Sequence, residues 1–221
     1  MNKENPLLIE TGSGLTVSYK DIHLYSSREP IKRVNDTIDS LPLLPDTLFL
    51  VQSIGLGHGL SYLASKLMPG SHILCLEQDP VLFKTGLAHV EPALHNHPHI
   101  TLLCTETPEK ACGILSRFPK DQFRRVVTAR LCAGYRLSPE FYDTAAALLQ
   151  EAIKTVWQNR MTLIHLGRLF VKNVIENLSL LPRLSDACEL STDKPVLVTG
   201  AGPSLEKSLP LIRELRSKVL L

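Results

Sequence analysis

From Leu48 onward the chain alternates strand-sized apolar runs with helix-length stretches, and this alternation limits the fold more than any other feature. TLFLVQSIG, HILCLEQD, HITLLCT and RRVVTARL are each nearly continuous in apolar residues, and LSYLASKL, VLFKTGLAHV and PEKACGILSRF separate them. Strands that alternate with helices predict βαβ units and a mainly parallel sheet. Runs without polar alternation predict a sheet covered on both faces. Residues 48–137 are therefore expected to form one α/β domain.

The flanking regions read differently. In residues 1–47, LTVSY (Leu15 to Tyr19) alternates like a half-buried strand. IHLYS is expected to continue it after Asp21, with Gly12 and Gly14 supplying a turn before it. A small β-rich segment is expected there. Residues 138–190 are expected to be a helical connector. Ser138 suits an N-cap, Pro139 the first helical position and Glu140 the first turn. Leu148, Ala152, Val156, Leu163, Leu166, Phe170, Val174 and Leu178 follow at three- and four-residue spacing. The length exceeds an ordinary globular helix, so a break near Asn159 or Gly167 is expected. In residues 191–221, PVLVTGAGPSLEKSLPLIRELRSKVLL reads strand, glycine turn, helix and the first residues of another strand. One such unit has too few strands to cover its apolar faces, so the chain is expected to be the N-terminal part of a longer protein.

Composition removes several classes. Lys and Arg number 24 against 22 acidic residues, a formal charge of +2. That balance does not suggest a nucleic-acid surface, which needs clustered cations to replace phosphate counterions. The densest basic patch, Arg117 to Arg125, is interrupted by Asp121 and reads as a solvated face. No apolar run approaches the roughly 20 residues of a membrane helix, so no membrane insertion is expected. The N-terminus MNKENPLLIE lacks a signal peptide's apolar segment. Five cysteines, Cys75, Cys104, Cys112, Cys132 and Cys188, are odd in number and widely spaced, without CxxC. Reduced thiols and a cytoplasmic location are expected.

Two glycine-rich turns carry the chemistry. SIGLGHGLSYLA (Ser53 to Ala64) follows a strand, and Gly55, Gly57 and Gly59 would let the backbone approach a ligand at a helix N-terminus. Glu77 ends the next strand about 20 residues on, where an acidic side chain commonly accepts from a ribose. The GxGxG spacing is closer to the loop of adenosylmethionine-dependent methyltransferases than to GxGxxG, and tight packing of helix on strand is the simpler explanation of the same glycines. His58 lies inside this turn. In VLVTGAGPSLEKSLPLI (Val196 to Ile212), Gly200 and Gly202 permit a bend and Pro203 stiffens it. Ser204 stands at the helix mouth, as a cap or beside a phosphate. No GK[ST] follows, so it is not a Walker loop. His89, His95, His97 and His99 crowd a Pro-containing stretch and read as a solvated loop rather than a metal site. Trp157 reads as core.

The stretch KPVLVTGAGPSLEKSLPLIRELRSK, preceded by NRMTLIHLGRLFVKNVIENLSLLP, resembles the motility-accessory-factor family of flagellin glycosyltransferases. LFLVQSIGLGHGLSYLASKL and ILCLEQDPVLFKTGL look like that family's Rossmann-like N-terminal domain. The resemblance covers about Leu48 to Leu221, and GAGPSLEK also looks like the GxGPSL turn with which bacterial sialyltransferases hold the cytidine nucleotide of their donor. Many of those enzymes have Asn where this chain has Ala201, so any donor contact there comes from backbone. The resemblance implies transfer of a nonulosonic acid from its CMP-activated form to Ser or Thr of flagellin. Gly200, Ala201, Gly202, Pro203 and Ser204 would then lie beside the CMP phosphate, at the start of a sialyltransferase-like domain. It assigns no catalytic base in this chain, which alone is expected to be inactive.

Other readings stand beside it. A methyltransferase-like enzyme would use Gly55, Gly57, Gly59 and Glu77 for adenosylmethionine. A non-catalytic module would bind flagellin or organise a homo-oligomer. An enzyme like archaeal hydroxymethylpterin diphosphokinase shares the GAGPSL-type turn and implies a pterin and ATP.

Overall fold

The computed structural model describes residues 5–183, 193–200 and 202–219. The chain divides into two compact units, Met1–His165 and Leu166–Leu221.

The first unit opens with a three-stranded antiparallel sheet: β1 (Leu7–Thr11), β2 (Gly14–Tyr19) and the short β3 (Ile22–His23). IHLYS does not continue β2. Lys20 and Asp21 both take positive φ (48° and 63°), the two-residue turn whose twist suits a hairpin, and the chain reverses so that Tyr19 pairs with Ile22. Helix α1 (Pro30–Asp39) follows, burying Pro30, Val34 and Ile38 at a four-residue spacing.

Next come β4 (Thr47–Gln52), α2 (Leu60–Ser65), β5 (His72–Glu77), α3 (Pro80–His89), α4 (Pro92–His95), β6 (Ile100–Cys104), α5 (Glu109–Cys112) and β7 (Arg125–Ala129). The four strands form a parallel sheet in the order β6-β5-β4-β7. This is the mixed α/β, Rossmann-like arrangement that the alternation predicts. The chain winds outward from β4 through β5 to β6, then returns to pair β7 with the other edge of β4.

The strands show why their sequences lack polar alternation. Phe49, Val51, Ile73 and Cys75 face one core, shared with Val17, Tyr25, Val34 and Ile38 of the N-terminal segment. Leu48, Leu50, Leu74 and Leu76 face the other, shared with Phe141, Tyr142, Ala145, Leu149 and Ile153 of α6 (Pro139–Leu178). Each fully buried side chain of this size contributes about 1.5–3 kcal/mol relative to exposure. Val17, Tyr25, Val34 and Ile38 therefore tie the N-terminal segment into the same core as the parallel sheet.

Helix α6 is continuous over 40 residues, with no break at Asn159 or Gly167. Each of those residues costs no more than about 1 kcal/mol in a helix interior, and the intervening residues are good helix formers, so neither residue stops it. Trp157 is half-buried against the second core. Its Nε1 donates to the Phe123 carbonyl at 2.7 Å, and Arg124 and Arg160 lie over its ring at 5.1 and 5.2 Å. Arg124 also pairs with Asp46, and Arg125 donates to the Pro45 carbonyl at 2.9 Å, so part of the basic patch is spent on internal contacts.

In the second unit, the strand expected over 195–199 is an extended segment with a single bridge residue, Val196; Val196 and Val198 are both exposed. A strand is defined by its ladder partners, and the described residues offer this segment none beyond that bridge. Helix α7 (Pro203–Leu215) follows the glycine turn. Lys194 Nζ donates to the Ser217 carbonyl at 3.1 Å, joining the entry of this segment to the end of the helix. Cys188, Ala201, Leu220 and Leu221 lie outside the described residues, as do the side chains of Pro203 and Ser204.

Candidate functional site

The first glycine turn connects β4 to α2. Gly55, Gly57 and Gly59 all take left-handed φ, at 51°, 74° and 80°. A side chain on Gly55 would run into the Tyr25 hydroxyl and Cys132 Sγ; one on Gly57 would meet Val90, and one on Gly59 would meet Val34 and Ile38 of α1. The space these glycines leave open is thus filled by protein. The Tyr25 hydroxyl accepts from the Leu56 N–H at 2.8 Å, so a backbone donor that a ligand phosphate would need is already paired. Burial raises the Tyr25 phenol well above its ordinary range, which keeps it neutral in this role. His58 Nε2 bonds the Leu15 carbonyl at 2.8 Å, a second tie to the N-terminal sheet.

Glu77 lies at the carboxyl end of β5 and is buried. One of its oxygens accepts from Ser53 Oγ at 2.7 Å and Ile54 N–H at 3.1 Å. The other accepts from Gln78 N–H at 2.9 Å, Asp79 N–H at 3.1 Å and the Tyr142 hydroxyl at 2.8 Å. A carboxylate offers about four lone-pair sites, so five donors leave none for a ribose hydroxyl. Burial and then the Glu77 charge push the Tyr142 phenol far up, so Tyr142 stays neutral; it donates to Glu77 and accepts from the Gln78 N–H at 3.4 Å. In this geometry Glu77 locks β4, β5 and α6 together.

A cleft of about 850 Å³ opens beside Glu77, lined by Tyr19, Lys20, Asp79, Glu106, Ser138 and Tyr142 among others. Its Asp79 is committed as well: it caps α3 by accepting from Val81 and Leu82 N–H at 2.9 and 3.2 Å. It also receives the Tyr19 hydroxyl at 2.9 Å and Lys20 Nζ at 2.7 Å from the hairpin tip. Burial opposes ionisation of Asp79, but these hydrogen bonds outweigh it and hold the carboxyl below its usual range.

The four described cysteines, Cys75, Cys104, Cys112 and Cys132, are free thiols. Burial pushes Cys132 up to about 11, despite a bond to Ser53, so it is a poor nucleophile near neutral pH. Among the described residues no group of three or more His, Cys, Asp or Glu is placed to hold a metal. His97 and His99 lie ring to ring at 5.9 Å in an exposed turn.

The second turn is open in a way the first is not. Gly202 is the N-cap of α7, with extended φ −137° and ψ 164°, and Pro203 holds the first helical position. Ser204 is thus inside the helix rather than capping it. Among the described residues no side chain caps this end, and Leu205 N–H bonds the Gly202 carbonyl at 2.9 Å. A Cβ on Gly200 would meet nothing within 4 Å. A 13-residue helix that has no side-chain cap hydrogen bond among the described residues leaves backbone N–H groups and a positive dipole end at Gly202.

Sequence reasoning finds both turns and Glu77, but it misses Tyr25, Ser53 and Tyr142, which close the first turn and saturate Glu77. These partners lie 24 to 65 positions from the groups they bond, and no local pattern marks them.

No family model matches the chain. An uncharacterized protein of Treponema pallidum (strain Nichols) is 32% identical over 220 residues, 98% of this chain. The chain spans 38% of that relative's length. Among solved structures, a spermidine synthase bound to the transition-state analogue AdoDATO and the spermidine synthase of Thermotoga maritima are each similar at 12% identity and a TM-score of 0.39. They cover 65% of this chain and 53% and 54% of their own. A likeness at that level says nothing about activity. No helix among the described residues is long and apolar enough to cross a membrane.

Proposed function

We propose that this chain is the N-terminal part of a glycosyltransferase that moves a nonulosonic acid from a CMP-activated donor to Ser or Thr of flagellin in the cytoplasm, a step serving flagellar assembly and motility. The observation that carries the reading is the uncapped start of α7 directly behind GAGPSL: Gly202 at the N-cap, Pro203 at the first position and open space at Gly200. An anionic phosphate is the natural complement of such a helix start. Backbone N–H groups would hold the CMP phosphate there, and Ala201 adds no side-chain hydrogen bond. Transfer also needs a base for the acceptor hydroxyl and stabilisation of departing CMP. Neither is assigned within residues 1–221. The Rossmann-like unit then serves as a scaffold, a flagellin-recognition surface or an oligomer contact.

The adenosylmethionine reading is less favoured, because Tyr25, Val34, Ile38 and Val90 occupy the space around Gly55, Gly57 and Gly59, and Glu77 has no free acceptor site.

The test is a chromosomal Gly202→Val substitution in the full-length protein of a motile host. Flagellin mass should fall by the mass of the sugar, with the protein still present at wild-type level. Unchanged flagellin glycosylation at normal protein level would contradict the proposal.

A further inference from the structure

We infer that the Rossmann-like unit carries an anion site of its own, in a cleft of about 710 Å³ at the point where its strand order reverses, and that it takes a small molecule bearing a phosphate or diphosphate group. In an open α/β sheet ligands settle outside the carboxyl ends of the strands at such a reversal. Here the reversal falls at β4, flanked by β5 on one side and β7 on the other. The cleft borders the carboxyl end of β7, through Arg130 to Ala133, and its other wall comes from His23 to Arg28 and from α1. Its lining residues all belong to the first unit and include none of residues 200–204.

The lining is one-sided in charge. Arg28, Arg33, Arg130 and Arg136 all border the cleft, with His23 beside them, and among the described residues no carboxylate lines it. Only Arg130 has an ion-pair partner among the described residues: its Nη2 meets Asp143 at 3.0 Å, while its Nε donates to Gln52 Oε1 at 2.8 Å and its guanidinium stacks on Tyr135 at 4.6 Å. Arg130 is thereby fixed in place. Arg28, Arg33 and Arg136 form no ion pair among the described residues. Guanidinium groups stay charged at any working pH, so the lining of this concavity carries positive charge that favours an anion.

The walls are built rather than loose. The Ala133 N–H donates to the Leu24 carbonyl at 2.7 Å, tying the turn after β7 to the segment after β3. Ser26 Oγ accepts from the Arg28 N–H at 3.3 Å, and α1 starts at Pro30 with no side chain capping it. Ser26, Ser27 and Thr37 add hydroxyl groups to the lining. A fixed concavity of this size fits a small ligand, and forked guanidiniums match phosphate oxygens two at a time.

Isothermal titration of the purified chain with inorganic pyrophosphate at physiological salt tests the inference. One pyrophosphate should bind per chain, saturably. Arg28→Glu with Arg33→Glu should weaken it by about tenfold or more, whereas Arg117→Glu, on an exposed arginine outside the cleft, and Gly202→Val should each leave it within about twofold. If the double variant melts early, Arg136→Gln alone should still weaken binding by at least about threefold. Three results would overturn the inference: no saturable binding, equal weakening by Arg117→Glu, or loss in Gly202→Val with binding intact in the Arg28 and Arg33 variants. The last would place the anion at the donor turn and leave the transferase proposal standing.

Discussion

Tyr142, in the first turn of α6, donates its hydroxyl to the Glu77 carboxylate at the end of β5 across 2.8 Å and 65 positions of sequence. This bond joins the parallel sheet to the helix covering its second face, and it completes the five donors around a buried charge. A carboxylate so enclosed is a structural anchor.

That assignment has a measurable cost when it is disturbed. Tyr142→Phe removes one donor of five and should lower unfolding free energy by about 1–2 kcal/mol in urea titration. Glu77→Ala strands the Ser53 hydroxyl, the Tyr142 hydroxyl and three N–H groups at once, and should lose at least about 3 kcal/mol. If Glu77→Ala were instead neutral in stability, Glu77 would be free for a ligand.

The first glycine turn makes a parallel prediction. Gly55→Ala places a methyl group against Tyr25 and Cys132 at a left-handed φ, and should cost about 2–3 kcal/mol. Tyr25→Phe leaves the Leu56 N–H unpaired and should cost about 1–2 kcal/mol. The wild-type chain should give no saturable heat with S-adenosylhomocysteine. Saturable binding that disappears in Gly55→Ala would restore the methyltransferase-like reading.

The contrast between the two turns shows what sequence carries and what it does not. The four parallel strands are legible because burial on both faces leaves Leu48–Val51 and Ile73–Leu76 without polar alternation. The start of α6 is legible because Ser138, Pro139 and Glu140 are a local signal. The closure of the first turn is not, because a glycine that admits a ligand and a glycine that admits Tyr25 or Val34 look alike in sequence. The hairpin at Lys20-Asp21 is hidden too, since neither residue is glycine and the reversal depends on pairing Tyr19 with Ile22. The break expected in α6 rests on residues that weaken a helix without ending it.

His72 supplies a pH dependence. Burial, followed by the charges of His99 and His97, lowers its pKa to about 4 from an ordinary 6.5. Its ring bonds Thr101 Oγ1 at 2.9 Å and packs on Phe118. Above pH 6.5 the imidazole is neutral in both states and contributes no slope. As pH falls from 6.5 towards 4, the unfolded chain takes up a proton that the folded chain refuses, so stability drops, by about 2 kcal/mol over the window. Below 4 the loss stops growing. His72→Gln should flatten the unfolding free energy between pH 6.5 and 4 relative to wild type. Parallel curves for the two proteins would remove His72 from this account.

The central claim is that a nucleotide belongs at the second turn and not at the first. The most direct measurement is a titration with CMP of the chain carrying Arg28→Glu and Arg33→Glu, which removes the arginine-lined cleft as a phosphate site, repeated with Gly202→Val or Tyr25→Phe added. Saturable CMP binding is expected in that background, with its loss on adding Gly202→Val and its retention on adding Tyr25→Phe. Saturable S-adenosylhomocysteine binding without CMP binding, or CMP binding that survives Gly202→Val, would contradict that claim.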